Sequence, residues 1–570
     1  MALLLFTSRT MREKIVIYQV LPRVYGNKNR HLINGGTIQQ NGCGKFSSFT
    51  SKRLEDIKNI GATHVWFTGV IEHATQTDYS AYGIRQDNHS LVKGKAGSPY
   101  AIKDYYDVDP DLAEDVCNRM DEFEALVSRT HRSGLKVIID FVPNHVARQY
   151  HSDSSPKGVE DFGERDDTTK SFSPQNNFYY IENTSFRSPQ CGGDGIEYIE
   201  TPAKATGNDC FSSTPGRFDW YDTVKLNYGV DCQGGGMGHF NPIPDTWQKM
   251  YEILLYWCSK GVDGFRCDMS EMVPVEFWHW VIYKVKETYP NILFVAEIYN
   301  QLLYKSYVQF GGFDYLYDKV GLYDKLRSVV TGSCPANEIT YCWQGLGELS
   351  KCMLNFMENH DEQRIASDFF AGDAKKGRAA MLVSALMNVN PVMIYFGQEY
   401  GEAGMDNEGY SGVDGRTSIY DYWASKKMRD ALFYPNNLTS EEKELKKFYT
   451  VLFGKICKRE AVSCGEFFDL TYCNMGDYSA YPYDKIYSFL RKKDEELILV
   501  VANFDSNSHK VYIKIPTHAF DYMKINEGVY KCRNLLNEEE RGTNENVSRE
   551  CSIRVEAPAL YGKVLCFSKQ

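Results

Sequence analysis

Between Ile15 and Cys457 the chain alternates short β-branched or aromatic runs with longer runs of helical period, and few folds sustain that rhythm over such a length. Ile15-Val16-Ile17-Tyr18 reads as a strand, and Ser51 to Ile60 as a helix with Leu54 and Ile57 on one face. His64-Val65-Trp66-Phe67 is the next strand. Met120 to Ser133 follows as an amphipathic helix, and Val137-Ile138-Ile139-Asp140 as the third strand. Trp247 to Ser259 is helical and Gly264 to Asp268 extended. Val275 to Thr288 is a helix with Phe277, Trp280, Val281 and Val285 turned inward. Leu293 to Ala296, Phe313 to Tyr317, Leu354 to Met357 and Val392 to Phe396 complete eight strand candidates. A last helix opens on the capping box Thr439-Ser440-Glu441-Glu442 and carries Leu445, Phe448 and Leu452 inward. Eight strands separated by helices predict an α/β fold, a parallel sheet closed as a (β/α)8 TIM barrel. An open doubly wound sheet would place a Gly-rich turn after the first strand, where this chain has Gln19-Val20-Leu21-Pro22.

Two stretches break the rhythm. Val146 to about Asp245 is rich in Ser, Asp, Gly, Asn and Thr and is too long for a loop, which predicts a domain inserted after the third strand. From about Ala461 the period becomes two, as in Val511-Ile513-Ile515, with turns such as Asn503 to Asn507. That predicts a C-terminal antiparallel β-sandwich. The expected division is residues 1–145 and 246–460 for the barrel, 146–245 for the insert and 461–570 for the sandwich.

Composition narrows the partners. The formal charge of −11 argues against nucleic acid and against an anionic membrane surface, since both require a basic face. No segment approaches the roughly 20 apolar residues that span a bilayer. The opening run Ala2-Leu3-Leu4-Leu5-Phe6 is shorter than a signal-peptide core of about 7–15 residues. The 16 cysteines contain no CxxC pair, which points away from zinc and iron–sulfur sites and toward reduced, mostly buried thiols in a cytoplasmic enzyme.

In a (β/α)8 barrel, polar residues at the C-terminal strand ends line the active site. Here those ends supply Asp140, Asn144 and His145, then Arg266 and Asp268, then Glu297, then Asn359, His360 and Asp361. Paired carboxylates flanking a bond are the equipment of glycoside hydrolysis, one ionised and the other holding a proton for the leaving oxygen. Arg266 precedes Asp268 by two residues and so shares its face of the strand, which keeps Asp268 ionised. Glu297 follows the apolar Phe294-Val295-Ala296, which suits a carboxyl of raised pKa.

These residues resemble the conserved regions of glycoside hydrolase family 13, the α-amylase family. Asp140-Phe141-Val142-Pro143-Asn144-His145 is similar to the first region and Gly264-Phe265-Arg266-Cys267-Asp268 to the second. Ala296-Glu297 is similar to the third and Asn359-His360-Asp361 to the fourth, in family order, with an insert where the family carries its domain B. Asp104 to Pro110 and Val224 to Tyr228 are similar to two flanking segments. The resemblance implies Asp268 as nucleophile, Glu297 as acid/base and Asp361 as a binder of the reacting sugar. It also implies His145 and His360 as hydrogen-bonding partners of that sugar, Arg266 as the orienter of Asp268 and Tyr100 as a stacking platform. The implied substrate is an α-1,4-linked glucan or maltooligosaccharide, cleaved with retention through a covalent glycosyl-enzyme and without an organic cofactor. Calcium is left open, with Asn144 the single ligand nominated.

The chain departs from the family where a Lys-His pair often follows the nucleophile, since Glu271 and Met272 stand there. Ser98 to Ile102 and Pro274 to Trp278 are similar to maltosyltransferases that use maltose 1-phosphate, for which Lys93, Lys95 and Lys103 are candidate phosphate contacts. A glycosyltransferase and a non-catalytic glucan-binding protein are therefore the alternatives to a hydrolase.

Overall fold

The computed structural model describes residues 13–190, 196–537 and 539–569, so the Ala2–Phe6 run lies outside the described residues. Eight strands form one parallel sheet: β1 (Val16–Val20), β2 (His64–Phe67), β3 (Lys136–Phe141), β4 (Gly264–Cys267), β5 (Leu293–Ala296), β6 (Tyr315–Tyr317), β7 (Met353–Leu354) and β8 (Val392–Tyr395). Their order, β7-β6-β5-β4-β3-β2-β1-β8, leaves β7 and β8 at the two ends. A parallel bridge between Asn355 and Val392 joins those ends and closes the barrel. The helices between strands include α1 (Ser51–Ile60), α2 (Arg119–Arg132), α3 (Asp245–Ser259) and α4 (Val275–Thr288).

Two expected strands are shorter than the apolar runs suggested. Phe313 and Met357 are buried but pack as core beyond the ends of β6 and β7 rather than extending them. On α4 the fully buried indole is Trp278, with Trp280 only partly covered. The final helix of the barrel, α5 (Ser440–Val451), starts at the Thr439 cap, which accepts from the Glu442 amide while the Glu442 carboxylate accepts from the Thr439 amide.

The two-residue period of the strands builds the barrel interior in layers. Ile17, Trp66, Ile138, Val295, Tyr317, Leu354 and Met393 fill one buried apolar cluster inside the sheet. Two residues further along the same inward faces come Gln19, Thr68, Asp140 and Glu297, all buried and all polar. The apolar layer is the floor, and the polar layer above it opens toward the C-terminal end.

Between β3 and α3 the described residues form short ladders. Val146 and its neighbours pair with Thr223–Lys225, and Tyr180–Ile181 with Ala203–Lys204. At the C-terminus, six antiparallel strands form one sheet and His509–Lys514 pairs with Ser552–Ala557 as a separate ribbon. Val511, Ile513, Ile553 and Val555 of the ribbon share a core with Leu499, Val501 and Phe567 of the sheet. Arg491 pins the sheet to the barrel by donating to the carbonyls of Met387, Ala461, Val462 and Gly465.

Among the described residues no helix is long and apolar enough to cross a membrane. All described cysteines are free, but only Cys258, Cys267, Cys457 and Cys532 are buried. The expectation of mostly buried thiols is thus corrected: Cys117, Cys232, Cys464 and Cys551 are exposed, and the remaining described thiols are only partly covered.

Candidate active site

Above the polar layer lies a cavity of about 350 Å³ whose walls include Tyr100, His145, Asp268, Glu297 and Asp361. Arg266, buried beneath them, holds the group together. Its Nη1 donates to Asp268 Oδ1 at 2.7 Å, and its Nη2 lies 2.7 Å from Glu297 Oε2. Asp140 Oδ1 is 3.6 Å from the same guanidinium and Asp361 Oδ2 is 3.9 Å away. One delocalised cation thus faces four carboxylates, a geometry that the planar fork of Arg permits and a Lys point charge would not.

The carboxyl groups are driven apart in acidity. Burial raises Glu297 to about 7, against the pull of Arg266, and the charges of Asp268 and Asp361 add to the rise. Burial also raises Asp268, while Arg266 opposes that rise through charge and hydrogen bond. Asp361 goes the other way. Burial opposes its ionisation, but its side chain is still 39% exposed, and His360 and Arg266 carry it down to about 2. His145 is held neutral by burial, with its pKa lowered to about 3.

His360 lies under the cavity rather than on its wall. Its Nε2 is 3.0 Å from Asp361 Oδ2 and 2.5 Å from the Tyr100 hydroxyl, and its Nδ1 is 2.8 Å from Gln19 Nε2. The Tyr100 ring stacks over it at 5.2 Å between centroids, so Tyr100 presents a flat face to the cavity. Asp140 accepts from Trp66 Nε1 at 3.1 Å and is part of the support below.

Sequence reading missed several groups. The Tyr299 hydroxyl donates to Glu297 Oε1 at 2.6 Å, and the Met269 amide donates to Glu297 Oε2 at 2.8 Å. Met269 achieves this with φ +40°, a left-handed conformation that costs a side-chain-bearing residue about 1–2 kcal/mol. Tyr299 was legible in principle, since it stands two residues after Glu297. Trp220, Asp222 and Tyr420 also line the cavity, but they come from loops whose approach no local pattern announces.

Asn144, nominated as a metal ligand, has protein partners at both ends of its side-chain amide. Its Oδ1 accepts from Lys225 Nζ at 2.9 Å, and the same ammonium lies 2.6 Å from Asp209 Oδ1. The side-chain amide of Asn144 donates to the Gly207 carbonyl at 2.8 Å. Lys225→Met should lower stability by about 1–3 kcal/mol by stranding the Asn144 oxygen, as measured by urea denaturation. An unchanged midpoint would show that the ammonium contributes nothing there. A separate buried group, Glu72, Asp104 and Asp107, offers carboxylate oxygens within 4.8 Å of one another. Arg119 pairs with Asp107, and Lys103 lies 3.9 Å from Glu72, so two of its three charges are already answered.

The three candidate phosphate lysines are likewise engaged. Lys93 pairs with Asp222 at 2.7 Å, Lys95 donates to Gln76 at 2.9 Å, and Lys103 pairs with Asp87 at 3.2 Å.

The chain is similar to known proteins in sequence and in fold. The description "Alpha amylase, catalytic domain" matches residues 19–461. Neopullulanase 2 of Thermoactinomyces vulgaris is 21% identical over 527 residues, covering 90% of this chain and 73% of that protein. An α-1,4-glucan:maltose-1-phosphate maltosyltransferase of Cereibacter sphaeroides is 23% identical over 52% of this chain and only 38% of its own length. Among solved structures, a maltogenic α-amylase of Thermotoga neapolitana has the same fold, with TM-score 0.62, 20% identity, and coverage of 98% of this chain and 99% of that one.

Proposed function

The chain belongs to the α-amylase family, and from that premise we propose that it is a retaining glycoside hydrolase of α-1,4-linked glucans and maltooligosaccharides. The observation that carries this reading is the Arg266 fork, which opposes the burial-driven rise of Asp268 and so favours its ionised form, while Glu297, raised to about 7, is left to carry a proton. Asp268 attacks the anomeric carbon while Glu297 protonates the departing glycosidic oxygen, and the C–O bond breaks as the glycosyl ester on Asp268 forms. Glu297, now ionised, takes a proton from water, whose oxygen displaces Asp268 from the sugar. Asp361, ionised at all working pH, binds sugar hydroxyls and steadies positive charge on the ring. His145 donates or accepts as a neutral imidazole, and Tyr100 stacks on the sugar face.

The chain's own carboxyl groups run both steps, so no organic cofactor enters. The residues 1–145 and 246–460 form the catalytic barrel in this reading, 146–245 a lid over it, and 461–570 a supporting domain in a cytoplasmic enzyme. An uncharged substrate needs no steering field, which suits the charge of −11.

The sugar-phosphate transferase alternative has support in the maltosyltransferase relative. Maltoheptaose given alone to purified enzyme should yield shorter sugars, resolved by chromatography. Longer products formed only when maltose 1-phosphate is added, with release of phosphate, would replace the hydrolase with a maltosyltransferase. Binding without turnover of either would leave only a glucan-binding protein.

A further inference from the structure

Asp318, the residue after β6, is a buried carboxylate that no cation answers among the described residues. It is 3% exposed, and its side chain accepts one hydrogen bond there, from the Leu322 amide at 2.8 Å. The lysines nearest in sequence are spent elsewhere, Lys319 on Asp324 and Glu362 and Lys325 on Glu338. Burial pushes Asp318 up to about 6, and only the Leu322 amide works against that rise. Asp318 lines a cavity of about 10 Å³, room for one water-sized sphere, together with Asn355 and Asn390. Both asparagines are 3% exposed. Asn355 Nδ2 donates to the Ser384 carbonyl at 2.9 Å and Asn390 Nδ2 to the Met353 carbonyl at 2.6 Å, which fixes how each amide is turned. The Oδ1 of each is left with no hydrogen-bond partner.

We propose that Asp318, Asn355 and Asn390 hold one monovalent cation of sodium size, which fastens the seam of the barrel. One carboxylate and two neutral amides carry a single negative charge. A monovalent ion cancels it, whereas a divalent ion would leave a positive charge buried. A water molecule has two protons to donate, so it leaves one of the three acceptors unmet and the carboxylate charge in place. Ser350 and Asn388, on the same wall, carry further oxygens. Lys14 and Arg491 come to this wall, but they donate to the carbonyls of Asn388 and Met387 and not to Asp318. The place is one where the sheet is thinly held. β7 and β8 meet through the single Asn355–Val392 bridge, while every other joint of the barrel has two or more paired positions. The three ligands come from the end of β6, from the bridging residue itself and from the turn before β8, so one ion ties three successive strands. The inference stands apart from the glycosidase reading.

The test is thermal unfolding of the full chain in about 0.1 M sodium chloride and in choline chloride of the same strength, well above pH 6 so that Asp318 is ionised. The midpoint should be about 1–3 °C higher in sodium, rising with sodium as a single saturable site. Asp318→Asn should remove the difference, because the amide keeps the shape and loses the charge. Equal midpoints for the parent in the two salts, or a sodium effect that survives in Asp318→Asn, would overturn the proposal. Should that variant fail to fold, a high-resolution crystal structure of the parent grown in sodium decides the matter. A centre about 2.3–2.6 Å from the Asp318, Asn355 and Asn390 oxygens is the cation, and one at about 2.7–2.8 Å is a water, which overturns it.

Discussion

Asp268→Asn should reduce turnover of maltoheptaose by about 10⁴-fold or more, because an amide oxygen cannot form the glycosyl ester. The substitution is isosteric and leaves Arg266 paired with Glu297, so the thermal midpoint should stay close to that of the parent. Burial opposes the native charge at Asp268, which removes a further reason for the variant to be less stable. Activity within tenfold of the parent, measured on folded protein, would sink the covalent mechanism. A collapsed circular-dichroism spectrum would make Asp268 a structural anchor instead.

Glu297→Gln should separate two kinds of substrate. Toward a natural glucan, whose leaving alkoxide needs a proton, kcat should fall by about 10³-fold or more. Toward α-maltosyl fluoride, whose leaving group needs little protonation, the first step should be far less affected. The parent enzyme should show the same chemistry in its pH dependence. Glu297 must be protonated when substrate binds, so kcat/KM on the glucan should fall as pH rises through about 7. Asp268 must be ionised, and burial moves its acid limb up from the ordinary aspartate value. A glucan profile flat from pH 6 to pH 9, or equal losses on both substrates, would remove Glu297 from the role of acid.

Much of this arrangement was legible because strands enforce a period of two. Once β4 was recognised, Arg266 and Asp268 had to share a face, and the same rule put Glu297 above Val295. The helix α5 was legible from its capping box, where two backbone donors find local partners. What could not be read was contact between distant loops. Lys225 meets Asn144 from 81 residues away, and nothing near either residue announces that contact. The left-handed turn at Met269 was also hidden, since a side-chain-bearing residue there contradicts local preference and is held by the surrounding hydrogen bonds. The ends of β6 and β7 were overextended because burial alone does not distinguish a strand from the core residues beyond it.

The shared grip of Arg266 ties the acidities of the two central carboxyl groups into a cycle. The negative charge of Asp268 is one of the influences that keep the proton on Glu297. In the proposed reaction that charge vanishes when Asp268 becomes an ester, and the guanidinium then acts on Glu297 with one competitor fewer, Asp140 and Asp361 remaining. The acid of the first half-reaction is thereby converted into a base for the second, with no side chain changing place. When water releases the sugar, the charge returns to Asp268 and Glu297 regains its affinity for a proton. The fold thus resets its own proton donor with every turnover, using the substrate's bond as the switch.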